Sequence, residues 1–151
     1  MKQSLLIITA LMLIVGCSKP INEDSLIDRN GVKYQQDSQK PYSGKVFRLY
    51  DTGENKNEGS YKNGKQDGLF TSWYENGQKS SERTYKDGEL DGKLILWYED
   101  GQKKKEGTYK YGEIDGKWTF WDMNGQKEGE NTYKDGEWIK EIRWDEDGNE
   151  W

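Results

Sequence analysis

The chain repeats itself every 24 residues, and no other feature constrains its fold as tightly. Glycines fall at Gly44, Gly68, Gly92 and Gly116, at Gly53, Gly77, Gly101 and Gly125, and at Gly64, Gly88, Gly112 and Gly136. Tyr61, Tyr85, Tyr109 and Tyr133 keep the same step, each followed by a lysine. So do Trp73, Trp97 and Trp121 (with Leu49 in the first unit), the glutamates Glu58, Glu82, Glu106 and Glu130, and the aspartates Asp67, Asp91 and Asp115. A single step held across these columns without an insertion specifies four tandem units, each stacked on its neighbours.

Turn chemistry makes each unit a β-hairpin. Asn76-Gly77, Asp100-Gly101 and Asn124-Gly125 are strong hairpin signals, with Thr52-Gly53 as the degenerate copy. A second turn lies in the KNGK, KDGE, KYGE and KDGE segments around Gly64, Gly88, Gly112 and Gly136. Turn glycines then alternate at steps of 11 and 13 residues, leaving strands of about 6–8 residues. Stretches such as KLILWY (93–98) and KWTFW (117–121) are rich in strand formers. The column Gly44, Gly68, Gly92 and Gly116, preceded by Asp in three units, predicts a bulge or a close backbone approach. The expected fold is all-β: an elongated antiparallel β-meander of about nine or ten strands built from tandem 24-residue hairpins. Its Trp and Tyr columns are expected to run as ladders along the long axis. The last unit diverges, with Lys140 in the glycine column and Asp145-Glu146-Asp147-Gly148 arriving one residue early, as a charged cap that discourages edge pairing.

Composition explains how so polar a chain can fold. Only 31% of its residues are hydrophobic and 34% are charged, where an ordinary domain is about half apolar. Twelve of the apolar residues lie in positions 1–17, and beyond them Val, Ile and Leu together number fourteen. Twenty aromatic residues stand in for the missing aliphatics, each able to bury roughly 150–250 Å². This composition excludes a thick aliphatic core, a multidomain enzyme and a polytopic membrane protein.

Residues 1–16 read as a signal peptide: Lys2, an apolar run from Leu5 to Val15, and a small-residue junction. The run is too short for a bilayer core of ~30 Å. Its end, Ile14-Val15-Gly16-Cys17, resembles the bacterial lipoprotein box, which implies lipidation of Cys17, the only cysteine. Multiple acyl chains give stable anchoring. By the same resemblance, Ser18 after the cysteine favours the outer membrane where the cell has one. Residues 17–41 are then the lipidated cysteine and a polar tether, with a short strand around 32–34, and 42–151 the repeat domain with its cap.

The segments YKNGKQDGLF (61–70), YKDGELDGKL (85–94), YKYGEIDGKW (109–118) and YKDGEW (133–138) resemble MORN repeats. With their WYENGQK-type turns they resemble more closely the bacterial variant found in the YwqK-family antitoxin group. The resemblance covers about residues 42–144. It implies a membrane-tethered or scaffolding repeat protein that binds other proteins, with an antitoxin-like or immunity-like role as the specific form.

The chain has no histidine and no thiol beyond Cys17, which removes histidine-based acid–base catalysis, Cys–His nucleophiles and the usual zinc ligands. The Glu column is expected to pair across strands with lysines, and the Asp column to serve turns. Asp145-Glu146-Asp147-Gly148 lacks the spacing of a calcium loop. With 28 acidic against 23 basic residues, nucleic acid is not an expected partner. The expected function is non-enzymatic, with no cofactor and no metal: a lipid-anchored envelope protein that binds a protein, such as a toxin. The candidate contact residues are Trp73, Trp97, Trp121, Tyr61, Tyr85, Tyr109 and Tyr133, all of which can equally be packing. A surface glycan-binding module using an exposed Trp/Tyr ladder is the alternative.

Overall fold

The computed structural model describes residues 19–151. The signal segment and Cys17 lie outside the described residues, so the anchor is not addressed by it. Within them the chain runs β1 (Ile21–Asn22), a 3-10 turn (Glu23–Ser25), β2 (Ile27–Arg29), β3 (Val32–Tyr34), β4 (Gly44–Leu49), β5 (Asn55–Lys62), β6 (Lys65–Gln66) and β7 (Gly68–Trp73). It continues through β8 (Lys79–Lys86), β9 (Glu89–Trp97), β10 (Lys103–Lys110), β11 (Glu113–Trp121), β12 (Lys127–Lys134) and β13 (Glu137–Arg143). One sheet orders β1-β4-β5-β7-β8-β9-β10-β11-β12-β13, with β6 paired to β5, and β2 and β3 form a separate hairpin. From β4 onward every pairing is antiparallel between neighbours in sequence, so the meander is confirmed.

The two turn families differ more than their shared Asx-Gly signature suggests. At the YKxG turns both central residues take positive φ, as at Asn63 (51°) and Gly64 (78°), and Lys62 pairs directly with Lys65. That is the two-residue mirror-type turn whose twist matches the flanking strands. At Asn76-Gly77 only the glycine is left-handed (81°). Gly77 N–H donates to Tyr74 O at 2.9 Å, Tyr74 N–H donates to Gln78 O, and the Asn76 carbonyl oxygen accepts from Gln78 N–H at 2.9 Å. This is a three-residue loop closed by a left-handed glycine. Beside each such loop the ladder steps past one residue, which is Lys56, Ser80, Lys104 or Glu128.

The third glycine column behaves as predicted. Between β8 and β9 the register jumps from Arg83↔Leu94 to Tyr85↔Leu90, so two extra residues bulge around Gly92. The same jump occurs around Gly116, between Glu106↔Thr119 and Thr108↔Asp115. The glycines there take left-handed φ of 123° and 78°, a conformation that a Cβ would strain.

Register fixes the two faces. Val46, Gly59, Phe70, Arg83, Leu94, Gly107 and Trp118 alternate onto one, the core face. Glu58, Thr71, Glu82, Ile95, Glu106, Thr119 and Glu130 occupy the other, the lysine–glutamate face. Leu94 and Trp97, three apart, therefore point to opposite sides. On the core face Leu26, Tyr42, Val46, Tyr61 and Phe70 form a buried cluster, with Ile21 and Tyr85 packed against it. Leu94 and Trp118 are buried farther along.

Residues 19–41 correct the expectation of a tether. The short strand at 32–34 is present as β3, but the rest of the segment folds onto the sheet. β1 pairs parallel with β4, Leu26 is buried in the cluster, and Lys33 N–H donates to Gly64 O at 2.8 Å. The first repeat has no preceding unit to cover its core face. A few apolar residues of the N-terminal segment cover it instead.

Candidate functional site

The tyrosine column does not stack ring on ring down the axis, which corrects the ladder expectation. Tyr61 meets Phe70 edge-on at 5.8 Å between centroids, and Phe70 meets Tyr85 at 5.3 Å. Tyr109 instead packs edge-on against Trp118 at 5.3 Å. These are the tilted geometries that aromatic quadrupoles favour. The rings that meet the tyrosines, Phe70 between Tyr61 and Tyr85 and Trp118 against Tyr109, come from the column Phe70, Leu94, Trp118, whose identity changes at every step. Trp118 is the most buried ring, 3% exposed, and its Nε1–H donates to Thr108 O at 3.2 Å. The signal that finds it is size complementarity: where the ring is large, as at Phe70 and Trp118, the residue opposite is Gly59 or Gly107, and a Cβ on either would lie 2.4 or 2.3 Å from that ring.

Tyr61 is 7% exposed, and its hydroxyl donates to Glu23 Oε1 at 2.6 Å. Burial first, and that carboxylate second, push its pKa well above the ordinary phenol range. Tyr61 is thus a fixed part of the join between the N-terminal segment and the sheet. Tyr133 makes no close ring pair and accepts at 3.3 Å from Asn131 Nδ2.

Trp73, Trp97 and Trp121 lie on the lysine–glutamate face, half-buried, and they do not touch one another. Lysines from the adjoining unit sit over two of them: Lys79 Nζ lies 6.0 Å from the Trp97 ring centre and Lys103 Nζ 5.6 Å from that of Trp121. Lys127 sits 5.0 Å over Trp144 in the same way. Each of these lysines also bonds the glutamate three residues on, with Lys79–Glu82 at 2.6 Å and both Lys103–Glu106 and Lys127–Glu130 at 2.8 Å. Lys93 and Lys117 add cross-strand bonds to Glu106 and Glu130 at 3.5 and 2.9 Å. The predicted cross-strand Glu–Lys pairing is therefore present in units three and four, while Glu82 pairs only along its own strand and Glu58 bonds Asn55 instead. These hydrogen-bonded ammonium groups hold the carboxyls of Glu106 and Glu130 below their ordinary pKa.

A second inter-unit tie runs beside the loops. Tyr50, Tyr74 and Tyr98 donate their hydroxyls to the carbonyls of Trp73, Trp97 and Trp121 at 2.6, 2.7 and 3.0 Å. The predicted turn role of the Asp column is visible at Asp115, which accepts from Asp135 N–H at 3.3 Å and Lys134 Nζ at 3.2 Å, bracing the next turn. Asp145 likewise accepts from Asp147 and Asn149 N–H within the terminal turn. Among the described residues no group of three or more Cys, Asp or Glu converges in a metal-like cluster.

One of several open surface grooves lies on the core face, beyond the part covered by the N-terminal segment. It is an open groove of about 400 Å³ between the loop side of β5 and that of β10. Lys56, Arg83 and Lys104 line it with Asn57, Ser72 and Ser80, and Trp73 and Trp97 lie at its edge. Of the seven candidate contact residues, only Trp73 and Trp97 border it, and they do so from strands whose register turns them to the opposite face.

No curated protein matches the chain. The family described as MORN repeat variant matches residues 66–87, 90–111 and 114–135. The first unit, with Leu49 and Thr52-Gly53 in place of the Trp and Asx-Gly of its neighbours, lies outside the matched residues. The protein is thus a β-sheet repeat protein, three consecutive segments of which match the MORN repeat variant.

Proposed function

We propose that the protein is a non-enzymatic, lipid-anchored envelope protein whose repeat array binds another protein. One observation carries this reading: the scaffold positions repeat while the surface positions do not. Turn glycines and Tyr61-type tyrosines recur at each step, and Lys–Glu pairs in units two to four. In contrast, the residue beside each loop changes from Lys56 to Ser80 to Lys104 to Glu128, and the core-face column runs Gly59, Arg83, Gly107, Asn131. A rigid sheet with an individual surface suits recognition of one partner, as in other repeat proteins. The lipoprotein-type junction at Cys17 supports an envelope location for that surface, at the outer membrane where the cell has one. The specific form of the proposal is immunity-like, in which the sheet covers and blocks a toxin.

Affinity capture with the full-length chain from envelope extract tests the reading. A discrete protein partner retained after a salt wash is the expected result, and its absence counts against protein binding. Cys17→Ala is expected to move the protein from the membrane to the soluble fraction. An immunity role further requires that cells lacking the gene become sensitive to the captured partner.

A further inference from the structure

We infer that the groove bounded by Lys56, Arg83 and Lys104 takes an extended acidic segment of a partner protein, its carboxylates meeting these three cations. The inference rests on the protein-binding reading and names the chemistry of the surface that would do the binding.

The three cations are uncompensated. None of them makes an ion pair within 4 Å among the described residues. No carboxylate lines the groove, although the chain carries 28 acidic residues and a net charge of −5. Residues 1–18 contain no Asp or Glu that could neutralise it. Each cation is also positioned. Lys56 Nζ lies 5.1 Å from the Tyr50 ring centre, Lys104 Nζ lies 5.2 Å from that of Tyr98, and Arg83 Nη1 donates to Ser81 Oγ at 2.6 Å. The Glu column holds Lys79, Lys93, Lys103, Lys117 and Lys127, whereas these three cations line one groove that contains no carboxylate.

The charge is also a departure from the repeat. Arg83 occupies the column that is Gly59 and Gly107 in the flanking units; on β9 it faces Leu94, where those glycines face Phe70 and Trp118, and on β7 it faces Phe70. Packing alone does not ask for a cation at that position. Twenty-four residues beyond Lys104 the same position is Glu128, so the basic stretch ends within the third unit.

Spacing selects the ligand. Lys56 stands on β5, Arg83 on β8 and Lys104 on β10, and β5 to β10 is four inter-strand steps, about 19 Å at ~4.8 Å each. A single phosphate or carboxylate cannot meet all three. An extended peptide of about six residues spans that distance at ~3.3 Å per residue, and Asn57, Ser72 and Ser80 offer hydrogen bonds to its backbone between the charged contacts. A nucleic-acid strand has the length, but the acidic remainder of the sheet would repel a continuous polyanion.

Fluorescein-labelled hexaglutamate, titrated against the full-length chain in neutral detergent at low salt, tests the inference by anisotropy. Saturable binding is expected, weakened at least threefold by Arg83→Gln or Lys104→Gln and more than tenfold by the pair. Lys140→Gln, on the last strand, is expected to leave it unchanged, and thermal melts confirm that each variant is folded. Binding that is absent at millimolar peptide, or equally sensitive to Lys140→Gln, overturns the inference. So does preferential binding of a thymidine hexanucleotide, of inorganic phosphate or of anionic phosphatidylglycerol vesicles. Captured partner that stays on the Arg83→Gln/Lys104→Gln variant overturns the groove assignment while leaving protein binding intact. No captured partner on the wild-type chain counts against the broader reading instead.

Discussion

Gly107 and Trp118 form one packing unit: the indole lies flat over the glycine, where a Cβ would come within 2.3 Å of the ring. Gly107 has no left-handed φ among the positive values of the chain, so its reason is space rather than backbone freedom. Gly107→Ala is expected to cost about 1–3 kcal/mol by overpacking. Trp118→Ala is expected to cost about 3–5 kcal/mol by emptying the site. Combining Gly107→Ala with Trp118→Leu, which imitates the Arg83–Leu94 arrangement of the preceding unit, should destabilise less than the two changes summed. Denaturant melts of the singles and the double check this, and strict additivity would show that the two residues are not coupled.

Tyr111 holds a left-handed φ of 53° at the turn where the other units place Asn63, Asp87 and Asp135. Its side chain is 72% exposed and recovers little by packing. Asn tolerates this conformation better than an aromatic residue does. Tyr111→Asn is therefore expected to stabilise the protein by about 1 kcal/mol, seen as a rise of a few degrees in the melting temperature.

The tyrosine hydroxyls that bond the next unit's tryptophan carbonyl offer a test of how units couple. Tyr74→Phe removes one such bond and is expected to cost about 1 kcal/mol. The triple change Tyr50→Phe, Tyr74→Phe, Tyr98→Phe should cost about three times as much if each inter-unit join contributes separately. A triple variant no weaker than the single one would mean that the array does not melt as coupled neighbours.

Much of this architecture is legible in the chain because its rules are local. A glycine in the left-handed region and a side-chain acceptor before it specify a turn, and repetition turns one hairpin into a meander. What the sequence hides is what depends on shape. The Asn63-Gly64 and Asn76-Gly77 pairs look alike, yet one forms a two-residue mirror turn and the other a three-residue loop, because the flanking residues pair differently. Ile21 and Leu26 are isolated apolar residues without a period, and the hollow that buries Leu26 is built by Tyr61 and Phe70, tens of residues later. Invariant columns draw attention to Trp73, Trp97 and Trp121, whereas the best-buried ring, Trp118, sits in a column that varies. The groove is hidden for the same reason, since Arg83 matters by breaking the pattern.

Acid should loosen the lysine–glutamate face. Lys127 and Lys117 hold the Glu130 carboxyl below its ordinary pKa, and Lys103 with Lys93 does the same for Glu106. A carboxyl depressed in the folded state contributes stability that is complete above its unfolded pKa and is lost as pH falls through the folded one. Stability is expected to decline below about pH 5. Glu130→Gln should lower stability at neutral pH and flatten that acid limb. An unchanged limb in pH-dependent urea melts would remove Glu130 from the account.

The parallel pairing of β1 with β4 has a consequence for reach. It closes the first edge of the sheet, four residues after Cys17 in the chain. A lipid on that cysteine would therefore grip the array by its sealed end. The nine strands β4, β5 and β7 to β13 then project about 40 Å from the anchor at ~4.8 Å per strand step. Each added or deleted 24-residue unit would change that reach by two strand steps, about 10 Å. The repeat number thus sets how far from the bilayer the last strand can meet a partner.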